Sequence, residues 1–424
     1  MAETPRNLAL SDSSQDIETA HPPHARILGI TDHAVFILLI GVLGILPGAH
    51  RYLFGFMNHL ESLPPVFRLL DPTFAIADFF VNDEASFGPR FYYAHAIAFL
   101  TNFMPLAWVC FSVAWLSHTA TLAVTYVAAR RLFRGDALVA MLACVLVMSI
   151  ESIQLGGSTG LKSHYVAPHT ASVSMSLAAL YFGILGRPYA ACLSACLCSL
   201  AHPLVGAESG AIALATSGIA AIFFPYAPSR HSLSHLVRAA APTLGACVLF
   251  GAFTFVVWIL PSMGENHDKE TLYRLLHIRL AHHYFPTAFG LSHYGYFACF
   301  LLSFVIAWRW WYRHPGTDRC TALRFLLPAG IVLILLVGGY LFVEVFPTYL
   351  WATAQVYRLN FILKWQGFLL FAFAISLLLR PQNTSNPACD TMAIQRVPDR
   401  AVARWRRIPA TFPLGLVVLL ANGL

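Results

Sequence analysis

The sequence predicts an all-α membrane protein, folded as a bundle of about ten or eleven helices that cross the bilayer. Of the 424 residues, 58% are hydrophobic and only 11% are charged, whereas a soluble domain carries about 25% charged residues. Apolar runs of about 20 residues recur along the chain, and each is long enough to cross the hydrocarbon core as a helix. The alternating pattern of a transmembrane β-barrel is absent from the sequence.

The apolar runs divide the chain into predicted spans and loops. In chain order the spans are 28–49, 105–129, 136–151, 169–186, 188–205, 207–224, 239–261, 293–311, 325–346, 361–379 and 408–424. The segment 1–26 is polar, so we expect a disordered cytoplasmic tail there. It lacks the basic, apolar and small-residue order of a secretory signal, so we expect the first run to be retained. Residues 27–424 are predicted to form a single transmembrane domain.

The basic residues predict how the chain is oriented. If the N-terminus is cytoplasmic, the arginine-rich loops fall on the cytoplasmic side, including a basic loop at 380–407. The positive-inside rule selects this orientation. It also accounts for the net charge of +7, so we expect no nucleic-acid partner. Two loops on the outer side, 50–102 and 262–292, are too long to be turns, and we expect short surface helices and functional residues in them.

Several kinds of site find no support in the sequence. The motifs G-x-x-x-x-G-K-[ST], H-E-x-x-H and G-x-S-x-G are absent, so nucleotide hydrolysis, zinc proteolysis and serine hydrolysis are not indicated. His277 and His282 do not share a helical face, because ligands on one face recur every three or four residues. We therefore predict no metal site, assign no cofactor and leave a requirement for a divalent cation open. The cysteines lie in apolar runs or predicted cytoplasmic loops, which favours buried thiols over disulfides.

Ionisable residues gather at the predicted outer ends of the spans. Glu151, Glu208 and Glu344 each lie at such an end. Charged groups within a membrane are costly, which makes them functional candidates. Their shared side favours a cavity that is open to the outer leaflet over a conduit through the bilayer.

The two outer loops hold further candidates. Asp78 lies between Ala-Ile-Ala and Phe-Phe-Val. A carboxylate in such an apolar context needs a chemical role or a structural partner, for which Arg68 or Arg90 would serve. In the second outer loop, Arg274 and Arg279 suit contacts with a phosphate or a lipid headgroup.

Short motifs in the first outer loop carry a resemblance to a known family. They read Asn58-His59-Leu60-Glu61-Ser62-Leu63-Pro64, then Asp71-Pro72, then Asp78-Phe79-Phe80; later pieces are Leu155-Gly156-Gly157, Ala201-His202-Pro203 and Arg358-Leu359-Asn360. With the layout of spans, these motifs resemble the C-type (GT-C fold) membrane glycosyltransferases. More narrowly, the chain is similar to uncharacterised bacterial members that distantly resemble protein O-mannosyltransferases. Better-known members carry an Asp-Glu pair after the first span, where this chain reads Met57-Asn58-His59.

The resemblance implies a GT-C-like fold and a function. It implies a protein of the bacterial cytoplasmic membrane that uses a polyprenyl-phosphate sugar donor in the membrane lipid. The sugar, a hexosyl or pentosyl group, would pass to an acceptor on the outer face. In this inverting transfer a carboxylate takes the acceptor proton while the lipid phosphate departs. Asp78 and Glu61 are then the predicted catalytic residues, and the predicted substrate-binding residues are Asn58, His59, Arg274, Arg279, Arg358, Lys162 and His202.

Two other functions stay open. A transporter or flippase of a lipid or small solute often shows internal repeats with broken helices at matched positions, and the sequence shows one Gly-rich break, at 156–160, without a convincing mate. A non-catalytic envelope-assembly protein is compatible with the missing Asp-Glu pair. An outward cavity with Asp78 beside a basic residue would favour the enzyme. Two superimposable halves would favour the transporter, and a cavity filled by side chains would favour the assembly protein.

Overall fold

The computed structural model describes residues 52–56, 59–78, 81–82, 87–149, 155, 160–161, 166–225, 233–263, 269–279 and 281–379. Regular structure within these ranges is entirely helical, which confirms the all-α prediction. Six of the described helices are long and apolar enough to cross a membrane, as expected of a multi-pass integral membrane protein. They are Leu106–Leu132, Pro203–Phe223, Val237–Ile259, Leu291–Arg313, Arg319–Val345 and Tyr349–Leu379.

The helices follow the predicted runs closely. The bounds are α1 His59–Ser62, α2 Pro64–Leu70, α3 Phe91–Leu100, α4 Leu106–Leu132, α5 Ala137–Ser149, α6 Pro168–Ile184, α7 Pro188–Ala201, α8 Pro203–Phe223, α9 Leu233–Thr254, α10 Lys269–Arg279, α11 Ala281–Tyr284, α12 Leu291–Arg313, α13 Arg319–Tyr340, α14 Tyr349–Ala354 and α15 Asn360–Leu379. The predicted spans 136–151, 169–186 and 188–205 coincide with the shorter helices α5, α6 and α7. The runs 28–49 and 408–424, the tail 1–26 and the loop 380–407 lie outside the described residues, so the count of ten or eleven spans stays a prediction.

Helix α15 is the centre of the bundle. Nearly every residue from Asn360 to Ala374 is buried, and the helix packs against α5, α12 and α13. Trp365 Nε1 donates a hydrogen bond to Thr125 Oγ1 of α4 at 3.1 Å. Buried polar side chains on this helix therefore tie it to its neighbours where lipid offers no partner.

Helices α6, α7 and α8 form a tightly packed group that relies on small residues. A Cβ atom at Gly206 of α8 would lie 2.3 Å from the Ser199 Cα atom of α7, and one at Gly183 of α6 would lie 2.5 Å from the Ala213 carbonyl oxygen of α8. Only glycine permits backbones to approach this closely. Each of the three helices also begins with a proline in its first turn, where the missing N–H costs nothing.

Two helices repeat one pattern. Helices α9 and α13 are both 22 residues long, and both contain a proline, Pro242 and Pro328. Each proline ends an Arg-x-x-x-Pro sequence. Both helices continue into a five-residue π-helical segment, Phe255–Ile259 after α9 and Leu341–Val345 after α13. The Gly-rich break at 156–160 has no convincing mate in the sequence, but the folded chain contains this other matched pair.

The two π-helical segments each receive a helix from a predicted outer loop. The Tyr92 hydroxyl of α3 donates to the Val257 carbonyl oxygen at 3.3 Å, and the Tyr273 hydroxyl of α10 donates to the Val343 carbonyl oxygen at 2.8 Å. A π-helical turn disturbs the regular hydrogen-bond ladder, so its carbonyl groups are available to other donors. Both loop helices thus dock at the same end of the bundle, which we call the predicted outer face.

Candidate functional site

A cluster of polar side chains lies among the helices near the predicted outer face. This polar cluster consists of His169, His202, Glu208 and Arg358. The imidazole rings of His169 and His202 pack edge to face with their centroids 6.4 Å apart. Arg358 interacts electrostatically with Glu208 and with both histidines. Residues from three separate parts of the chain therefore meet in one place.

Local sequence explains how each member is held. His169 follows the proline that opens α6, and His202 precedes the proline that opens α8. His202 is the N-cap of α8, where its Nδ1 atom accepts a hydrogen bond from the Val205 backbone N–H at 3.4 Å. Arg358 lies in a 3₁₀ turn between α14 and α15, and the turn follows Gln355, whose φ of 51° is in the left-handed region. The left-handed backbone at Gln355 ends α14, so Arg358 lies in the turn and not in either of the two flanking α-helices.

The cluster contains polar atoms that no described part of the chain satisfies. His169 Nδ1, Glu208 Oε1 and Arg358 Nε are buried and have no hydrogen-bond partner among the described residues. The nearby Gln355 Oε1 atom and both side-chain polar atoms of Asn360 are also buried without a hydrogen-bond partner among these residues. Each such atom costs about 1–3 kcal/mol when left unpaired. This concentration of unpaired donors and acceptors indicates a site for a polar ligand or for ordered water.

Glu208 and Arg358 attract each other without forming a direct ion pair in the described part of the chain. Both residues also keep some accessible surface although helices surround them. An acid and a cation that interact without a direct bond can both contact one bound group. Such a group would offer a hydrogen-bond donor to the carboxylate and negative charge to the guanidinium.

Both predicted outer loops bring charge or polarity to the cluster. Arg90 Nη2 contacts Glu61 Oε2 at 2.9 Å, and Arg90 Nη1 donates to the Glu61 carbonyl oxygen at 2.9 Å. Arg358 interacts electrostatically with both residues of this pair. From the second loop, Tyr284 accepts a hydrogen bond from Gln355 Nε2. Burial raises the pKa of Tyr284, so its hydroxyl stays protonated and can donate at neutral pH.

Three residues predicted from the sequence come together here, namely Arg358, His202 and Glu61. His59 lies instead in the packed interior of the first outer loop, where its Nδ1 atom accepts from the Gly55 N–H at 2.8 Å. Arg274 is exposed on α10 and pairs with Glu270 at 2.6 Å. Asn58, Lys162 and the Arg279 side chain lie outside the described residues.

Asp78 occupies a different environment from the one its neighbours suggested. Its side chain is exposed, and Oδ1 accepts a hydrogen bond from the Val81 N–H at 2.9 Å. The two arginines predicted as its partners form other bonds in the described part of the chain. Arg68 donates hydrogen bonds to the Phe74 carbonyl oxygen and to Asn82 Oδ1, whereas Arg90 binds Glu61. The apolar sequence around Asp78 therefore does not bury this carboxylate, and its catalytic role stays a prediction.

The sequence made Glu208 a functional candidate without assigning it a catalytic or binding role, and it did not point to His169, Tyr284 or Gln355 as site residues. A signal existed for Glu208, because an acid at the end of an apolar run is costly. No local signal distinguishes His169, Tyr284 or Gln355, since each gains its importance from distant neighbours.

The arrangement combines a guanidinium that can hold an anion, a carboxylate that can accept a proton and two imidazole rings. Within the ranges that the structure describes, no group of three or more His, Cys, Asp or Glu residues is placed to hold a metal ion. A search against protein-family models and a search of curated proteins both return no match to this chain.

Proposed function

We propose that this protein is an integral-membrane glycosyltransferase. It would transfer a sugar from a polyprenyl-phosphate-linked donor to an acceptor hydroxyl at the predicted outer face. The observation that carries the proposal is the pairing of Arg358 with Glu208, close in space but not joined, with an unpaired buried atom on each. The reaction needs a cation for the departing phosphate and a base for the acceptor proton, and these two residues supply both.

The proposed reaction proceeds by one displacement. The acceptor oxygen forms a bond to the anomeric carbon of the sugar while the bond from that carbon to the phosphate oxygen breaks. The electron pair of the broken bond remains on the lipid phosphate, whose added charge the Arg358 guanidinium stabilises. The acceptor proton passes to the Glu208 carboxylate, and the configuration at the anomeric carbon inverts.

Three acids compete for the role of base. Glu208 is our choice because one of its oxygen atoms is buried and unpaired beside Arg358. Glu61, one of the two acids predicted from the sequence, already pairs with Arg90 and keeps 65% of its side chain exposed. Asp78, the other, caps an exposed turn. A base must reach the acceptor oxygen within hydrogen-bond distance, so the acids are separable by substitution.

The test is sugar transfer by the purified protein in liposomes, offered a panel of polyprenyl-phosphate sugars. We expect Arg358→Gln and Glu208→Gln each to lower the transfer rate about 100-fold or more while the protein stays folded. Two exposed residues provide matched controls, Arg313→Gln and Glu270→Gln, and these variants should transfer at the wild-type rate. Asp78→Asn and Glu61→Gln, measured in parallel, test the sequence-based choice of base.

The outcomes separate the possibilities. If Asp78→Asn abolishes transfer and Glu208→Gln does not, the function stands and Asp78 is the base. If both cluster variants transfer at the wild-type rate, the polar cluster is not the active site. If the wild-type protein neither turns over nor binds any donor of the panel, the glycosyltransferase proposal fails.

Transport of a lipid or small solute is the second candidate, and the matched pair of α9 and α13 favours it. Repeated, broken helices are typical of transporters, where the substrate binds near the middle of the bilayer. Here the π-helical segments lie at the predicted outer face, which is why we rank transport second. Movement of labelled polyprenyl-phosphate lipid across liposomes, without sugar transfer, would reverse this ranking.

A further inference from the structure

A second polar site lies at the other end of the bundle from the polar cluster. Helix α6 begins beside His169 and ends beside Leu185, so the two sites are separated by about 25 Å along this helix. The second site is a cleft of about 230 Å³ between the ends of α4 and α6 and the start of α13. We call it the arginine cleft, and its lining residues are Arg131, Leu132, Arg134, Leu185, Asp318 and Thr321.

The fold holds one of the two arginines in a defined place. Arg134 has a φ of 58° and Gly135 a φ of 79°, so the turn between α4 and α5 runs through the left-handed region. The Arg134 guanidinium lies against Gly316, where a Cβ atom would be 2.6 Å from Nη1. Gly316 itself has a φ of 89°, which favours glycine. The turn before α13 is therefore shaped so that this guanidinium fits against it.

The acid of the cleft is already engaged in capping. Asp318 is the N-cap of α13, and its carboxylate accepts hydrogen bonds from the Cys320 N–H, the Thr321 N–H and the Thr321 hydroxyl. Neither Arg131 nor Arg134 forms an ion pair with an acid among the described residues. The cleft thus carries two positive charges and the negative charge of Asp318, and no ion pair within the described ranges neutralises either arginine.

The lining indicates the kind of anion. Guanidinium groups match phosphate oxygens in geometry as well as in charge, and they bind phosphate in pairs of parallel hydrogen bonds. Leu185 adds partly exposed apolar surface to the same cleft, whereas Leu132 is only 5% exposed. A soluble phosphate ester would leave Leu185 uncovered, whereas the glycerol and acyl chains of a lipid would cover it. Basic clefts between membrane helices are known settings for lipid headgroups.

We propose that the arginine cleft binds the phosphate group of an anionic phospholipid. Arg131 and Arg134 hold the phosphodiester, and Leu185 contacts the glycerol and the first carbons of the chains. This site is separate from the polar cluster and does not depend on the proposed glycosyltransferase activity.

The test is lipid binding by the full chain purified in detergent, measured by native mass spectrometry with phosphatidylglycerol and phosphatidylcholine. We expect phosphatidylglycerol to bind at least about tenfold more tightly, because only it brings net negative charge to the arginines. The double variant Arg131→Gln/Arg134→Gln should lose this preference. The double variant Arg309→Gln/Arg313→Gln removes the same charge from exposed positions on α12 and should keep it.

A single variant keeps the proposal testable if the double variant misfolds. Arg134→Gly removes the guanidinium at a position whose φ suits glycine, so the turn should fold at least as well as in the wild type. We expect this variant to lose most of the preference for phosphatidylglycerol. The proposal is overturned if Arg134→Gly keeps the full preference, or if the wild type binds the two lipids equally. It is also overturned if soluble glycerol phosphate competes as strongly as phosphatidylglycerol, since the site would then recognise phosphate alone.

Discussion

At the scale of single residues, Glu208 and Arg358 illustrate the cost of placing charged groups among membrane helices. A carboxylate or guanidinium inside a membrane protein is retained only when something compensates its loss of water. Each of these two residues partly compensates the other's loss of water, because their opposite charges attract each other. The unpaired atoms on both sides leave part of that cost unmet, which a bound substrate would meet.

His59 gives a pH-dependent prediction at the same scale. Burial lowers the pKa of His59 below its ordinary value of 6.5, and its unprotonated Nδ1 atom accepts the Gly55 N–H. Below about pH 6.5 the unfolded chain therefore binds more protons at this position than the folded chain, so stability falls as the pH falls. One proton contributes at most about 1.4 kcal/mol per pH unit. The protection of the Gly55 amide against hydrogen exchange, taken relative to its intrinsic exchange rate, should decrease between pH 7.5 and 5.

The matched control for this prediction is His59→Gln, whose side-chain oxygen can accept the same bond but does not titrate. The variant should lose less of this protection than the wild type over the same pH range. Equal pH dependence in the two proteins would assign the effect to other histidines.

At the scale of elements, α10 docks through an apolar cluster and one hydrogen bond to a π-helical segment. Tyr273→Phe removes the bond to the Val343 carbonyl oxygen and should destabilise the docked helix by about 1 kcal/mol. The expected result is faster proteolysis and hydrogen exchange in the second outer loop, with the rest of the bundle unchanged. Tyr340→Phe is the control, because Tyr340 lies on α13 and is 48% exposed. A loop equally protected in both variants would mean that apolar contacts alone hold α10.

The first outer loop offers the corresponding measurement. Tyr92→Phe removes the weaker bond to the Val257 carbonyl oxygen, at 3.3 Å. The Tyr92 ring also packs edge to face against Trp258, with the centroids 5.1 Å apart. We therefore expect a smaller effect on hydrogen exchange of α3 than Tyr273→Phe has on α10. A larger effect would show that hydrogen-bond length does not determine which of the two bonds contributes more to the docking of its helix.

At the scale of the whole molecule, close packing of α6, α7 and α8 places the polar cluster. Gly206→Ala would set a Cβ atom against the Ser199 backbone and force α7 and α8 apart. Overpacking of this kind costs about 1–3 kcal/mol, and the junction that must yield contains His202. We expect a lower thermal unfolding temperature in detergent and weaker binding of the polyprenyl-phosphate donor.

The matched control for this change is Gly251→Ala on α9, where an added Cβ atom meets nothing within 4 Å. This variant should be as stable as the wild type or more so, since alanine is the better helix former. Equal stability of the two variants would mean that the α7–α8 contact relaxes without strain.

The sequence by itself determined the all-α class and the positions of the helices that the structure describes. Hydropathy determines both, and it is a property of consecutive residues, so a window of about 20 residues contains the signal. Arg358 and His202 became candidates in another way, because each lies in one of the short motifs that carry the family resemblance.

Only the tertiary structure decided which of these residues meet. His169, His202, Glu208 and Arg358 come from α6, the α7–α8 junction, α8 and the turn before α15, and helix packing brings them together. It also decided that Asp78, with apolar neighbours in sequence, is exposed. Burial and proximity depend on contacts between residues far apart in the chain, and local sequence does not contain that information.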